Sequence, residues 1–230
     1  MNSLLAQLGS LLMESKSVRE YFDTRAEQFD RLYGEDVRWR TLFNRTFRQA
    51  IYQRFSIALA ESGEVQGARI LDIGCGPGRY VSAYAQLGAA QVVGIDVAEG
   101  MIKLAEKHIQ AAGIAEQCQF ICGDFLTTDF ADQFDVVLAV GVFDYLSKPE
   151  PFLRRMVELA KSRVIVTFPG RSVLRMRMRR LRYAVRGVPV HFYRKDEVEA
   201  LAQVTDLRTF KVVPIHTSGT GHVLVGQIGR

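Results

Sequence analysis

From residue 68 onward, short apolar runs alternate with longer amphipathic stretches. The runs ARILDIGC, QVVGIDV, QCQFICGD, FDVVLAVG and SRVIVTF each read as a buried strand. Between them, RYVSAYAQLG and EGMIKLAEKHIQAAG read as helices ending at Gly88 and Gly113, and a third helix begins near Pro149 and runs through FLRRMVELA. Continuous apolar strands separated by helices predict a mostly parallel sheet covered on both faces. The tail breaks this rhythm. After the helix DEVEALAQV come two strands, LRTFKVVPI and HVLVGQIG, joined only by the turn SGTG. So short a link predicts an antiparallel pair, because a parallel crossover needs a dozen or more residues.

Upstream, the pattern is helical. Leu4, Leu5, Leu8, Leu11 and Leu12 fit one face of a helix over residues 1–17. Residues 18–60 continue in the same way, with Phe43, Phe47, Ile51 and Phe55 recurring every four residues. The expected division is an N-terminal helical cap, 1–60, and an α/β domain, 61–230, carrying a basic helical insert at 171–195.

Composition adds little to this picture. Hydrophobic residues make up 48 % and charged residues 24 % of the 230, as in ordinary globular chains. The N-terminus lacks the basic start and cleavage site of a secretory signal, so a cytoplasmic location is expected. Cys75, Cys118 and Cys122 are odd in number and form no C-x-x-C pair. Disulfides and a metal site are therefore not expected. The net charge of +5 is modest but uneven: residues 171–186 hold seven arginines and no acid. Leu174, Met178, Leu181 and Val185 give that stretch an apolar face. It reads as a solvated lid helix, a binder of anionic substrate, a peripheral membrane contact or an RNA contact.

The candidate chemistry lies at strand ends. Asp72, Gly74, Gly76 and Gly78 form D-x-G-x-G-x-G where the first strand ends, the edge at which open α/β sheets bind ligands. The spacing differs from the G-x-G-x-x-G of dinucleotide enzymes and lacks the Lys-Ser/Thr of a P-loop. Asp96 ends the second strand, placed to accept from ribose hydroxyls. Asp124 ends the third, in Gly123-Asp124-Phe125, where its carboxylate can accept from an adenine amino group. Each acid can also cap the element that follows. Together they describe a site for adenosine without phosphates.

These segments resemble the class I S-adenosylmethionine-dependent methyltransferases over roughly residues 18–230. ILDIGCGPGRY resembles their first motif, VVGIDVAEGMI the ribose segment, CGDF the adenine segment and FDVVLAVGVFDYL the segment below the substrate. The resemblance implies a Rossmann-like seven-stranded sheet of order 3-2-1-4-5-7-6 with strand 7 antiparallel. It implies S-adenosylmethionine as cofactor and S-adenosylhomocysteine as product. Gly74, Cys75 and Gly76 would run along the cofactor, Asp96 would hold the ribose, Val97 and Met101 would flank the base, Asp124 and Phe125 would meet adenine, and Val140 and Gly141 would approach the methionine part.

Within that class the chain resembles small-molecule O-methyltransferases of the ubiquinone-biosynthesis and magnesium-protoporphyrin types. YFDTRAEQFDRLY resembles their first helix, which would lay Tyr21 over the cofactor, and Arg48 matches an arginine facing the cofactor carboxylate. FDYL and SRVIVTFPGRSVLRMRMRRLR resemble later segments. One departure is that Asp144 stands where the porphyrin enzymes have a histidine. A general base is needed only where the acceptor carries a proton of high pKa. The candidates are Asp144, Tyr145, Tyr21 and His191, with the alternatives that Asp144 caps the next helix, Tyr145 is core and His191 is structural. His108 reads as a surface residue. The expected reaction is methyl transfer to an oxygen or nitrogen of a small anionic or lipophilic acceptor, by a monomer or homodimer. A nucleic-acid methyltransferase is disfavoured because VGVFDY lacks the N/D-P-P-Y/F of base amino-group methylation. A non-catalytic cofactor-binding module is the third reading.

Overall fold

The computed structural model describes residues 16–24, 42–171, 190–216 and 221–229. A short helix α1 (16–23) and a longer α2 (Leu42–Glu61) precede β1 (Arg69–Ile73), α3 (Arg79–Gln86), β2 (Gln91–Asp96) and α4 (Glu99–Ala111). Then follow β3 (Cys118–Cys122), β4 (Phe134–Ala139), α5 (Pro149–Leu159), β5 (Ala160–Pro169), α6 (Lys195–Gln203), β6 (Leu207–Pro214) and β7 (Gly221–Ile228). The predicted helix over 1–17 lies outside the described residues except for its last two, and the arginine-rich stretch lies outside them from 172 to 189.

The seven strands form one sheet of order β3-β2-β1-β4-β5-β7-β6. β1 to β5 run parallel, and β7 is antiparallel to both β5 and β6. Sequence order reverses across β1, which pairs with β2 on one side and β4 on the other. The crevice of such a sheet opens there, beyond the strands' carboxyl ends.

Alternate residues of each strand serve opposite faces, as a period of two requires. Leu71, Ile73, Val93 and Ile95 join the core under α5 and α6, with Phe152, Leu153, Met156 and Val198. Ile70, Val92, Val136 and Leu138 join the opposite core, with Ala58 of α2, Val81 and Tyr84 of α3, and Ile102 and Ile109 of α4. Each such large side chain contributes about 1.5–3 kcal/mol on full burial. Pro149 occupies the first turn of α5, where its missing N–H has no partner to lose. α6 starts with a capping box in which the Arg194 N–H donates to Glu197 Oε2 at 2.8 Å.

Candidate active site

The glycine loop after β1 is closed by its own backbone. The N–H groups of Gly74 and Cys75 both donate to the Ile95 carbonyl, at 2.7 and 3.1 Å, and the Gly78 N–H donates to the Cys75 carbonyl at 3.0 Å. The Gly76 N–H donates to Asp96 Oδ2 at 2.9 Å. Residue 77 is proline and has no N–H. The loop therefore presents no row of N–H groups to a phosphate, in contrast to a P-loop.

Gly74 has φ +66°, and a Cβ there would lie 2.4 Å from Val142 Cγ2. Its lack of a side chain is what lets the turn after β4 close on the loop. At Gly76, also left-handed, a Cβ would meet nothing within 4 Å, and the same holds at Gly141 across the crevice. Two backbone segments thus face open space from opposite sides of the switch point. Gly141 is held by its N–H donating to Oγ1 of the fully buried Thr167 at 2.8 Å.

Asp96 accepts from Gly76 through Oδ2 and from the Ala98 N–H through Oδ1, at 2.9 Å each. Each oxygen keeps acceptor capacity. Burial pushes this carboxyl above its usual range, the two N–H bonds oppose the shift, and the Asp23 charge adds to it. Asp124 Oδ1 accepts from the Leu126 N–H at 2.9 Å, and its Oδ2 makes no hydrogen bond among the described residues. Asp72 is buried, with no partner for Oδ2 among the described residues. Burial first, and then the Asp96 charge, hold its carboxyl well above the usual range.

Several expected site residues act otherwise than their sequence suggests. The Phe125 ring is core, 4.7 Å from the Phe152 centroid and 6.0 Å from that of Phe130; it is not free to stack on a base. The Cys75 thiol is buried, and burial raises its pKa, so only its backbone can follow a ligand. Met101 is buried with Ala98 against Phe22, whereas Val97 is partly exposed. The Gly123 N–H donates to the Asp96 carbonyl at 2.9 Å, tying the two acid-bearing segments together. Val140 packs against the α2–α4 side of the core. His108 is not a plain surface residue: its Nδ1 lies 3.0 Å from the Pro77 carbonyl, on the glycine loop.

The four candidate bases gather on the other side of the crevice. Phe143–Tyr145 forms a single 3-10 turn after β4. The His191 N–H donates to the Asp144 carbonyl at 2.8 Å, and Tyr193 Oη donates to the Leu146 carbonyl at 3.1 Å. The Tyr145 ring meets Phe22 edge to face at 5.6 Å, and Phe22 meets Tyr21 at 5.2 Å. Asp144 does not cap α5, whose N-cap position is Lys148. Asp144 and Tyr21 are 3 % and 7 % exposed, whereas Tyr145 and His191 are partly exposed. Of the four, Tyr145 and His191 are the two that keep exposed surface.

Arg48 lies on α2, its side chain outside the described residues. Farther along the same helix stands Arg54, whose buried Nε has no hydrogen-bond partner among the described residues. Its charge favours the ionised form of Tyr80, the second residue of α3, against the stronger effect of burial. No spacing rule marks Arg54 among the arginines of α2.

Together, the strand order, the glycine loop and the strand-end acids define the class I methyltransferase fold. Residues 70–163 match the family model described as a methyltransferase domain. The chain is 35 % identical over 100 residues to a ubiquinone biosynthesis O-methyltransferase of Bordetella avium, covering 44 % of this chain and 41 % of that protein. It is 34 % identical over 128 residues to the protein of the same name from Azorhizobium caulinodans, covering 55 % and 50 %. The matched stretch thus spans about half the length of these curated relatives. Among solved structures, magnesium protoporphyrin IX methyltransferase from Synechocystis PCC 6803 with bound SAM superposes with a TM-score of 0.75 at 18 % identity, over 94 % of this chain and 97 % of that one. Among the described residues, no helix is long and apolar enough to cross a membrane.

Proposed function

We propose that the chain transfers a methyl group from S-adenosylmethionine to an oxygen of a small molecule. The observation that carries this reading is the crevice at the switch point. Gly76 faces open space there, Asp96 and Asp124 keep acceptor capacity, and the loop's N–H groups are already spent. Carboxylates repel phosphate but accept from hydroxyl and amino donors, which suits an adenosine. The ubiquinone biosynthesis O-methyltransferases among the relatives support oxygen as the methylated atom.

When bound, the cofactor supplies a sulfonium methyl that is already electrophilic. The chain's own work is alignment, which can contribute about 7–11 kcal/mol. Asp96 holds the ribose hydroxyls and Asp124 the adenine amino group. Arg54 meets the carboxylate of the methionine part. The buried Asp72 carboxyl would accept from the ammonium group of the methionine part. On the acceptor side, His191 takes the proton of the acceptor hydroxyl. Asp144 holds His191 in place through its carbonyl, while Tyr145 lines the approach and the buried Tyr21 backs it through Phe22.

The acceptor is anionic on this reading. Both ends of the arginine-rich stretch are fastened at the acceptor edge: Gly170 bridges Tyr193, and Arg171 pairs with Glu197 at 2.9 Å.

Calorimetry with S-adenosylhomocysteine tests the cofactor assignment. Wild-type protein binds it, and Asp96→Ala binds it at least tenfold more weakly, the scale of hydrogen bonds to a charged group, about 1.5–3 kcal/mol. Equal affinity in a folded variant removes Asp96 from the ribose, and no binding by wild type refutes the cofactor.

A further inference from the structure

The two arginines side by side on α5 are used differently. Arg154 forms a helix-surface ion pair with Glu150 at 2.9 Å. Arg155 has no carboxylate partner among the described residues. Its Nε donates to the Phe125 carbonyl at 3.0 Å, its Nη2 donates to the Thr128 carbonyl, and its guanidinium lies 5.7 Å from the Phe125 ring centroid. A half-buried guanidinium thus spends its donors on backbone carbonyls of one loop.

That loop carries Asp124. It is fixed at its start by the Gly123 N–H on the Asp96 carbonyl, and the Asp124 carbonyl accepts from the N–H groups of Thr127 and Thr128. The Thr128 hydroxyl donates to the same oxygen at 2.8 Å. These bonds make a tight turn, but all of them lie within the loop or at its root. What fastens its far side to the rest of the molecule is the Phe125 ring in the core, Leu126 and Phe130 packed against that core, and Arg155 as the polar tie on the two carbonyls. Charge-assisted bonds of this kind are roughly twice as strong as neutral ones. Without them the backbone from Phe125 to Thr128 loses its charge-assisted restraints, and the Asp124 carboxyl can shift relative to the crevice while the Phe125 ring stays in the core. Asp96, on a different strand, would not move with it.

We propose that Arg155 is a positioning residue that sets the adenine specificity of the site by holding the loop of Asp124 against α5. This rests on the cofactor reading above. It reaches past it in assigning recognition of the exocyclic amino group to a clamp on the outer face of the domain. Arg155 touches no ligand; it acts through Asp124.

The test compares S-adenosylhomocysteine with S-inosylhomocysteine, in which a ring carbonyl replaces the amino group. Wild-type protein prefers the adenine compound. Arg155→Met keeps the aliphatic stem and removes the donors. It binds S-adenosylhomocysteine about tenfold more weakly, the scale of lost hydrogen bonds to a charged group, while its affinity for the inosine compound stays within about twofold of wild type. Arg155→Lys, which retains charge and most of the packing, shows the same loss of preference at smaller amplitude. Equal weakening toward both ligands in the Lys variant, or undiminished preference in both variants, overturns the proposal. Wild-type protein that binds neither compound overturns the cofactor reading itself.

Discussion

Asp23 Oδ1 accepts a hydrogen bond from the Gly100 N–H at 2.9 Å, joining α1 to the first turn of α4 across 77 residues of sequence. The next residue of that turn, Met101, lies under Phe22, which in turn meets Tyr145. One short helix therefore touches α4 and the 3-10 turn after β4 together. A carboxylate at a helix N-terminus gains both from an otherwise unpartnered N–H and from the helix dipole. Asp23→Ala is expected to lower stability by about 1 kcal/mol, typical of a lost cap, and to speed hydrogen exchange of residues 16–24. Asp23→Asn, which can still accept from Gly100, should lie close to wild type in the same exchange experiment.

Asp72 gives a pH signature. Its pKa is raised in the folded protein by burial and then by Asp96, so the folded state holds this proton more tightly than the unfolded chain. Stability from this group is fully present below the unfolded value, about 3.9. It is lost as pH rises from there to the folded pKa. Asp72→Asn removes the titration. In urea unfolding of ligand-free protein, the stability of the Asn variant relative to wild type should therefore increase as pH rises above about 4. A constant difference between the two profiles contradicts a raised pKa.

His191 is partly exposed and anchored to Asp144 through its backbone. If it takes the acceptor proton, His191→Gln keeps that backbone bond and loses the base. Turnover should fall by roughly 10²–10⁴, with cofactor affinity unchanged. Turnover within a few-fold of wild type would leave His191 a structural residue.

The arginine-rich stretch is tested through charge. Reversing Arg175, Arg177 and Arg179 to Glu should raise KM for an anionic acceptor at least about tenfold, the factor that 1.4 kcal/mol represents. Affinity for S-adenosylhomocysteine should be preserved. Unchanged kinetics would leave the stretch a solvated surface with no part in acceptor recognition.

Much of the fold is legible in the chain because local patterns encode it. The apolar runs at β1, β2, β4 and β5 are buried on both faces, and the short SGTG link forces β6 and β7 to pair antiparallel. The site is less legible. Asp96 stands out because it ends a strand beside a glycine loop. Thr167 reads only as a strand residue, although its hydroxyl holds Gly141. Arg155 reads as one helical arginine among several. Asp23 and His108 sit on helix surfaces by pattern, yet each bonds backbone at the crevice. Such side-chain-to-backbone contacts leave no periodic trace, since any carbonyl or N–H can be the partner.

The same limit separates what each level determined. The strand and helix succession, the terminal hairpin and the strand-end acids follow from local pattern, because hydrophobic periodicity and short connections act along the chain. Which of those groups stays exposed depends on packing in three dimensions. Packing across the sheet turned the Phe125 ring into core, covered Met101 with Phe22 and withdrew Asp144 and Tyr21 from solvent. It left His191 and Tyr145 partly exposed beside them. Burial depends on what folds over a residue from elsewhere in the chain, and no window of neighbouring residues contains that information.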